Sequence, residues 1–190
     1  MIIIFLGGPG AGKGTQALKL ANSLNAYHIN TGQMIRDHIK NKTEIGVVAK
    51  PYIDAGHFIP DEYTISMIKS EILQNKDKDI VLDGFPRNIK QAEALQQMLK
   101  ECNQYIGAIF NLNVPTRVMF ERALKRGQET GREDDIPELI KQRIIDYYEI
   151  SEPLRDYYGS HRWYYDIEGN QADWAVHELI LQKIWWYTKQ

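Results

Sequence analysis

The sequence predicts an α/β fold in which helices cover both faces of a doubly wound, five-stranded parallel sheet. The apolar run IIIFL at residues 2–6 is unbroken, as expected of a strand buried on both faces at the centre of a parallel sheet. Short apolar runs then alternate along the chain with amphipathic segments of helical period. The 190 residues are enough for one domain with a well-packed core.

After this first strand, four more short apolar runs are predicted as strands, at residues 27–29, 80–82, 106–112 and 163–167. The helices that accompany them are predicted at residues 13–24, 88–100, 115–126 and 171–188. Residues 31–74 interrupt the alternation, because they contain three helix-like segments, broken at residues 42–43 and 55–60, and no strand. We therefore expect a helical insertion at one edge of the sheet. A polar loop, GQETGREDD, is predicted at residues 127–135.

The composition argues against a nucleic-acid or membrane-attracting surface, because 23 Lys and Arg stand against 25 Asp and Glu, for a net charge of -2. Cys102 is the single cysteine, which excludes an internal disulfide and a multi-cysteine zinc site and favours a reducing compartment. The apolar run at residues 1–6 has no basic leader and is too short for a signal peptide or a membrane span. We therefore expect a cytoplasmic protein.

The glycine-rich stretch GGPGAGKGT at residues 7–15 nearly matches the phosphate-binding pattern G-x-x-x-x-G-K-[ST], except that Gly14 stands between Lys13 and Thr15. Such a turn between a strand and a helix directs backbone N–H groups and the positive helix end at one anion. Lys13 adds a mobile charge for the β- and γ-phosphates. An ordinary strand-to-helix turn is the alternative, but the strand before it and the pattern QALKLANSL after it favour a fold of the P-loop NTPase type.

A carboxylate and several arginines accompany this loop. The stretch IVLDG places Asp83 at the end of another apolar strand, where P-loop enzymes organise magnesium. Arg87 follows closely, and its planar fork suits a second phosphate. Each arginine alone could be a solvated surface residue, but a set of six suits transfer between two phosphorylated substrates: Arg36, Arg87, Arg122, Arg126, Arg132 and Arg143.

Five segments together resemble the adenylate kinases that have a short lid: GGPGAGKGTQ, NTGQMIR, GHFIPDE, LDGFPRN and RGQETGREDD. In that family the loop lysine is followed by Gly-Thr, so GKGT is the expected form. The segment NTGQMIR departs from the more usual STG-D-L-L-R at Asn30, Gln33 and Met34, whereas Thr31 and Arg36 keep their places. The resemblance implies one P-loop kinase domain over residues 1–190, with a nucleoside-monophosphate-binding insertion at 30–59 and a short lid at 127–135.

The resemblance also implies separate sites for ATP and AMP. The ATP phosphates would be bound by Gly10, Ala11, Gly12, Lys13, Gly14 and Thr15, and the adenine of ATP would lie near Arg122, Gly169 and Gln171. AMP would be bound by Thr31, Arg36, His57, Phe58, Ile59, Gly84, Phe85, Pro86, Arg87 and Gln91. The groups that would act in catalysis are Lys13, Arg87, Arg126, Arg132 and Arg143, of which Arg126 would also bind ATP and the last two AMP.

The reaction implied is the reversible, Mg²⁺-dependent transfer of the γ-phosphoryl group of ATP to AMP, giving two ADP. Asp83 would hold Mg²⁺ through its water shell, together with Thr15. No general base is expected, because the accepting phosphate oxygen is already ionised at neutral pH. The implied protein is a monomer that uses no zinc and binds neither nucleic acid nor membranes.

Three alternatives compete with this interpretation. A UMP/CMP kinase shares the fold and the short lid, but Gln91-Ala92, which follows Arg87, is the spacing with which adenylate kinases read adenine. A regulatory GTPase is disfavoured because residues 75–78, NKDK, carry lysine where its N-K-x-D motif requires aspartate, and they precede a strand. A non-catalytic nucleotide-binding module would leave the second phosphate site without a purpose.

Two acidic residues close the predicted lid segment. Asp135, with Glu138 three residues later and Pro137 between them, fits a capping box that begins the next helix. The alternative for Asp135 is a contact with an arginine when the lid closes. Asp134 has no capping role in either case and is therefore the stronger candidate for an arginine contact.

Overall fold

The computed structural model describes residues 1–188 and contains a sheet of five strands. The strands are β1 (Ile2–Leu6), β2 (Tyr27–Asn30), β3 (Ile80–Asp83), β4 (Ile106–Asn113) and β5 (Tyr164–Glu168). They lie in the order β2-β3-β1-β4-β5, and every pairing is parallel. The prediction of a doubly wound parallel sheet with the first strand at its centre is confirmed.

The helices that follow and separate the strands match the predicted alternation. They are α1 (Lys13–Leu24), α2 (Thr31–Lys40), α3 (Glu44–Asp54), α4 (Asp61–Gln74), α5 (Ile89–Glu101), α6 (Thr116–Thr130), α7 (Pro137–Asp146), α8 (Pro153–Gly159) and α9 (Asp173–Thr188). A π-helical turn at Tyr147–Ser151 joins α7 to α8. In the part of the chain that the structure describes, no helix is long and apolar enough to cross a membrane.

The core consists of two layers, one on each face of the sheet, and the side chains of β1 alternate between them. Ile2, Ile4 and Leu6 pack in the layer that contains residues of α4, α5 and α8. Ile3 and Phe5 pack in the opposite layer, with residues of α1 and α9. Burial of apolar surface at about 25 cal/mol per Å² on both faces explains why this strand is apolar at every position.

Helices α2, α3 and α4 form the helical insertion predicted between the second and third strands. The insertion has a small apolar core of its own, formed by Ile35, Ala49, Ile59 and Met67. The Thr43 side chain caps α3 by accepting a hydrogen bond from the Gly46 backbone N–H, 3.1 Å away. The assignment of residues 30–59 as a nucleotide-binding unit stays a prediction.

The predicted polar loop at residues 127–135 is wrong for its first four residues, because α6 continues through Thr130 and ends at Gly131, whose φ is 67°. Gly127 lies within that helix, and glycine is required there because a Cβ would be 2.7 Å from the Asp135 carbonyl oxygen. The capping box is also wrong. Helix α7 begins after Ile136, whose apolar side chain cannot accept a hydrogen bond, and the Asp135 side chain turns towards arginines instead.

Candidate active site

The glycine-rich loop lies between the end of β1 and the start of α1, as predicted. Gly10 and Gly12 have φ angles of 79° and 97°, which side-chain-bearing residues rarely adopt. A Cβ at Gly10 would also be 2.0 Å from the Met119 carbonyl oxygen, so the loop passes directly against α6. The loop therefore presents its backbone N–H groups and the N-terminus of α1 to one region, as an anion site requires.

The Lys13 ammonium group folds back over this loop. Its Nζ donates hydrogen bonds to the carbonyl oxygens of Gly7 (2.6 Å) and Gly8 (2.8 Å). Burial lowers the pKa of Lys13 to about 7; the Asp83 charge opposes this shift, and the nearby arginine charges add to it. A bound phosphate chain would supply the negative charge that favours the protonated ammonium.

Asp83 lies at the end of β3, opposite Asn30 at the end of β2 in the parallel register. The Asn30 Nδ2 donates a hydrogen bond to Asp83 Oδ2 at 2.6 Å. A Cβ at Gly14 would be 3.1 Å from the same carboxylate oxygen. The departure from the usual G-K-[ST] pattern thus has a physical reason, since a side chain directly after Lys13 would press on this carboxylate.

Magnesium prefers oxygen ligands, and it is commonly held by one or two carboxylates together with water and substrate phosphates. The buried carboxylate of Asp83 and the hydroxyl-bearing Thr15 line the same cleft as the glycine-rich loop. These residues fit a magnesium ion carried with a nucleotide. Among residues 1–188 of the described chain, no cluster of three or more His, Cys, Asp or Glu could hold a metal ion by itself.

Five of the six candidate arginines line this cleft together with the loop: Arg36, Arg87, Arg126, Arg132 and Arg143. Arg122 lies to one side, where its Nη1 donates a hydrogen bond to the Gly169 carbonyl oxygen at 2.9 Å. The structure therefore brings together two of the three residues that the resemblance placed near the ATP adenine. Gln171 is exposed, and its side chain donates to the Glu168 carbonyl oxygen at 3.3 Å.

Arg126, Arg132 and Arg143 are held by two aspartates. Arg126 forms a bidentate pair with Asp135, with 2.6 Å from Nε to Oδ2 and 2.9 Å from Nη2 to Oδ1. Arg143 donates to Asp135 Oδ1 at 2.8 Å. Arg132 pairs with Asp134 through two hydrogen bonds of 2.6 Å. Both acidic residues thus contact arginines. Asp135 is the more deeply buried of the two, and this difference in burial was not predicted from the sequence.

The pKa values of both carboxyl groups reflect these pairs. Burial alone raises the pKa of Asp135, but the hydrogen bond from Arg126 and the charges of Arg132 and Arg126 outweigh it and hold the pKa below its usual value. Burial also raises the pKa of Asp134, and its pairing with Arg132 overcomes this effect and lowers the pKa to about 2. Both groups are therefore ionised at neutral pH.

A second pocket opens beside the cleft and is walled by apolar side chains and several polar groups. It is lined by Thr31, Gly32, Ile35, Arg36, Ile53, Gly56, His57, Phe58, Ile59, Thr64, Arg87, Gln91, Arg132, Asp134 and Arg143. The guanidinium of Arg87 lies over the Phe58 ring, 4.7 Å from its centroid, and its Nε donates to the Gly84 carbonyl oxygen at 2.8 Å. Four arginines are common to both cavities.

Three of the residues that the resemblance placed in the AMP site do not line this second pocket: Gly84, Phe85 and Pro86. The Phe85 side chain is fully buried in the main core, and Gly84 lines the glycine-rich-loop cleft. Pro86 lines a small neighbouring cavity that is also lined by Lys13 and Arg87.

The Thr31 hydroxyl is buried and has no hydrogen-bond partner among the described residues. A ligand in the pocket could satisfy it.

Gln91 is oriented by two protein groups. Its Oε1 accepts a hydrogen bond from the Arg87 backbone N–H at 2.8 Å, and its Nε2 donates to Asp61 Oδ1 at 2.7 Å. Asp61 also accepts from Asn88 Nδ2 at 2.9 Å. Sequence reasoning assigned no role to Asp61, although it lies within the quoted segment GHFIPDE. Its partners come from another helix, and only the fold brings them together.

The chain is similar to known proteins over most of its length. The family model described as adenylate kinase matches residues 5–163. An adenylate kinase of Bacteroides fragilis is 45% identical over 183 residues, covering 96% of this chain and 97% of the relative. An adenylate kinase of Synechococcus sp. is 42% identical over 179 residues, covering 94% and 93%. With the fold and the arginine-lined cleft, these matches show that the chain belongs to the adenylate kinase family.

Proposed function

We propose that this chain catalyses the reversible transfer of the γ-phosphoryl group of MgATP to AMP, giving two ADP. The observation that carries the proposal is the set of arginines shared by two cavities. Arg36, Arg87, Arg132 and Arg143 line both the glycine-rich-loop cleft and the apolar second pocket. Two phosphate-bearing ligands, one in each cavity, would meet at this shared cationic wall, as a direct transfer between them requires.

In this proposal the cleft binds ATP. The backbone N–H groups of residues 10–15 and the start of α1 hold its phosphates, while Lys13 exchanges its carbonyl partners for the β- and γ-phosphates. Arg122 and Gly169, which are joined by a hydrogen bond, border the adenine together with Gln171. Asp83 and Thr15 would hold Mg²⁺, which would supply positive charge to neutralise the phosphates.

The second pocket binds AMP. Ile35, Ile53 and Ile59 provide apolar walls for the base, and residues 57–59 border it. Gly84 and Pro86 line the neighbouring cavity instead. The Thr31 hydroxyl and the oriented amide of Gln91 provide polar contacts. Arg87 and Arg36 bind the phosphate. The insertion at 30–59 and the lid at 127–135 then act as the two pieces that carry arginines to the ligands.

Catalysis in this site consists of positioning and charge neutralisation. The accepting AMP oxygen is ionised at neutral pH, so no group of the chain has to remove a proton. Arg126, Arg132 and Arg143 surround the transferred group and are themselves held in place by Asp134 and Asp135. Closing the site around both ligands also excludes the water that would hydrolyse ATP. We further propose that the protein works as a cytoplasmic monomer.

The function is tested by incubating the protein with MgATP and each nucleoside monophosphate in turn, with ADP formation as the measurement. We expect rapid ADP formation with AMP and much slower reaction with UMP, CMP and GMP. A preference for UMP or CMP would assign the second pocket to a pyrimidine. ADP formation without any acceptor would indicate an ATPase.

Replacing Arg87 with Ala should weaken AMP binding far more than ATP binding. The substitution removes a bidentate phosphate contact of about 1.5 to 3 kcal/mol, which corresponds to roughly a 10- to 100-fold higher KM for AMP. Steady-state kinetics with each substrate varied in turn measures the difference. Arg122→Ala is the matched control and should raise the KM for ATP instead. An equal loss for both substrates in Arg87→Ala would contradict the two-site assignment.

MgATP binding should be accompanied by proton uptake, because the pKa of Lys13 is about 7 before its ammonium meets the phosphates. Phosphate charge raises this pKa, so uptake should approach about one proton at pH 8 and fall towards zero at pH 6. Calorimetric titrations in buffers of different ionisation enthalpy measure it. Uptake of the same size in Lys13→Met would show that another group is responsible.

Zinc chelation should change neither activity nor melting temperature while magnesium is kept in excess. The lid residues 127–135 contain no cysteine or histidine, so they cannot supply the ligands of a tetrahedral zinc site. Phosphoryl transfer and thermal unfolding, each measured with and without a zinc-selective chelator, test this expectation. Loss of either property would show that the lid has been misinterpreted.

A further inference from the structure

We propose that Asn30 is a positioning residue. Its side-chain amide connects the carboxylate of Asp83, which would hold Mg²⁺, to the first turn of helix α2, which borders the proposed AMP pocket. The proposal rests on the function proposed above, in which Asp83 holds Mg²⁺. Asn30 is the last residue of β2, and α2 begins at the next residue. Its neighbour in the sheet register is Asp83, the last residue of β3.

The two ends of the Asn30 amide have different partners. Nδ2 donates a hydrogen bond to Asp83 Oδ2 at 2.6 Å, and Oδ1 accepts one from the Gln33 backbone N–H at 2.8 Å. The second contact is the N-cap of α2. A carboxylate can only accept and a backbone N–H can only donate, so these partners allow one orientation of the amide.

The contact with Asp83 restricts how this carboxylate can turn. One of its oxygens receives the Asn30 donor and also faces Gly14, where a Cβ would lie 3.1 Å away. Groups that hydrogen-bond to a metal-binding carboxylate fix its direction, and their loss typically weakens metal binding 10- to 100-fold. Asn30 is therefore placed to aim the carboxylate at the water shell of the metal.

The contact with Gln33 places the other side of the site. Helix α2 carries Thr31 and Arg36, and both line the proposed AMP pocket. The same side chain thus sets the start of this helix and the direction of the magnesium carboxylate. A substitution that breaks only one of the two contacts should separate the two effects.

Three variants separate the effect on the Asp83 carboxylate from the effect on the start of α2. Asn30→Ser keeps a side-chain oxygen that can cap α2, but it is too short to reach Asp83 in the observed geometry. Asn30→Ala removes both contacts. Thr43→Ala is the matched control, because it removes the N-cap of the adjacent helix α3, where the Thr43 hydroxyl accepts from Gly46, without touching Asp83.

The measurement is Mn²⁺ binding to the protein saturated with a non-hydrolysable ATP analogue, followed by the loss of the free Mn²⁺ signal in electron paramagnetic resonance. We expect Asn30→Ser and Asn30→Ala to weaken Mn²⁺ binding about 10-fold or more, and Thr43→Ala to leave it unchanged. Melting temperatures should group the variants differently. Asn30→Ser should melt close to wild type, whereas Asn30→Ala and Thr43→Ala should melt at lower temperatures.

Wild-type Mn²⁺ affinity in Asn30→Ser would overturn the proposal and leave Asn30 as a helix cap alone. Equal weakening by Thr43→Ala would also overturn it, because the effect would then come from the stability of the insertion. If the wild-type protein with bound analogue takes up no Mn²⁺, the assignment of Asp83 falls and the proposal with it. Phosphoryl transfer to AMP in the nucleotide panel would still stand in each of these cases, so the two failures are distinguishable.

Discussion

Replacing Lys13 with Met should reduce phosphoryl transfer to AMP by about 10³-fold or more while the fold remains intact. The Lys13 ammonium lies over the glycine-rich loop, and its Nζ is 2.6 Å from the Gly7 carbonyl oxygen. Methionine keeps the length and apolar stem of the side chain and removes the charge together with the hydrogen bonds to Gly7 and Gly8. The expected result is a collapse of kcat with little change in melting temperature.

Lys125→Met is the matched control for this substitution. Lys125 lies on α6 with an exposed side chain, and its ion pair with Glu129 is a surface pair between residues one helical turn apart. Transfer in that variant should equal wild type, as measured by ADP formation under the same conditions. Wild-type rates in Lys13→Met itself would remove the assignment of residues 7–15 as a phosphate-binding loop.

Replacing Asp135 with Asn should both destabilise the protein and slow transfer. The Asp135 side chain is fully buried and pairs with Arg126 and Arg143, so the amide would leave Arg126 without its counter-charge and Arg143 with that of Asp134 alone. Breaking one partner of a buried pair costs about 3 to 5 kcal/mol; because the Arg126 side chain is 38% exposed, we expect about 2 to 3 kcal/mol. Urea unfolding measures the stability, and kcat reports the displaced arginines.

The stability difference between wild type and Asp135→Asn should also depend on pH. The pKa of Asp135 in the folded protein lies below its unfolded value of about 3.9. The contribution of its charge is therefore complete well above pH 4 and is lost as the pH falls through the folded pKa. Glu133→Gln, at an exposed neighbouring lid position, should show no such loss. A constant difference from pH 6 to pH 3 would contradict the ion-pair explanation.

The centre of the sheet could be predicted from the sequence because β1 and β3 are apolar at nearly every position. Residues 2–6 and 80–83 are buried, and an apolar run without polar alternation is typical of a strand covered on both faces. The glycine-rich loop could be found for a related reason, since positive φ angles and the close approach of Met119 require glycine at particular positions. These features depend on neighbours along the chain or on the sheet as a whole.

The segment at residues 127–135 and its aspartates could not be predicted in the same way. The end of α6 depends on Gly131, but Gly127 offered an equally plausible end from sequence alone, and its real role is to make room for Asp135. The local pattern at Asp135 predicts a capping box, but the Asp135 side chain forms a stronger tertiary interaction with two arginines instead. Likewise, the contact between Asn30 and Asp83 forms because β2 and β3 are neighbours in the sheet, and the sequences of these two strands do not reveal that order.

The insertion touches α7 directly. His57 Nδ1 lies 3.0 Å from Asp146 Oδ2, Gln142 donates to the other oxygen of that carboxylate at 2.7 Å, and a Cβ at Gly56 would be 3.2 Å from the Gln142 Cβ. Helix α7 also carries Arg143, which lines both cavities. Occupancy of one cavity should therefore alter affinity in the other, and thermodynamic reciprocity makes the factor equal in both directions. Weakening the His57 contact should then reduce the cooperativity between the two substrates rather than the affinity for either one alone.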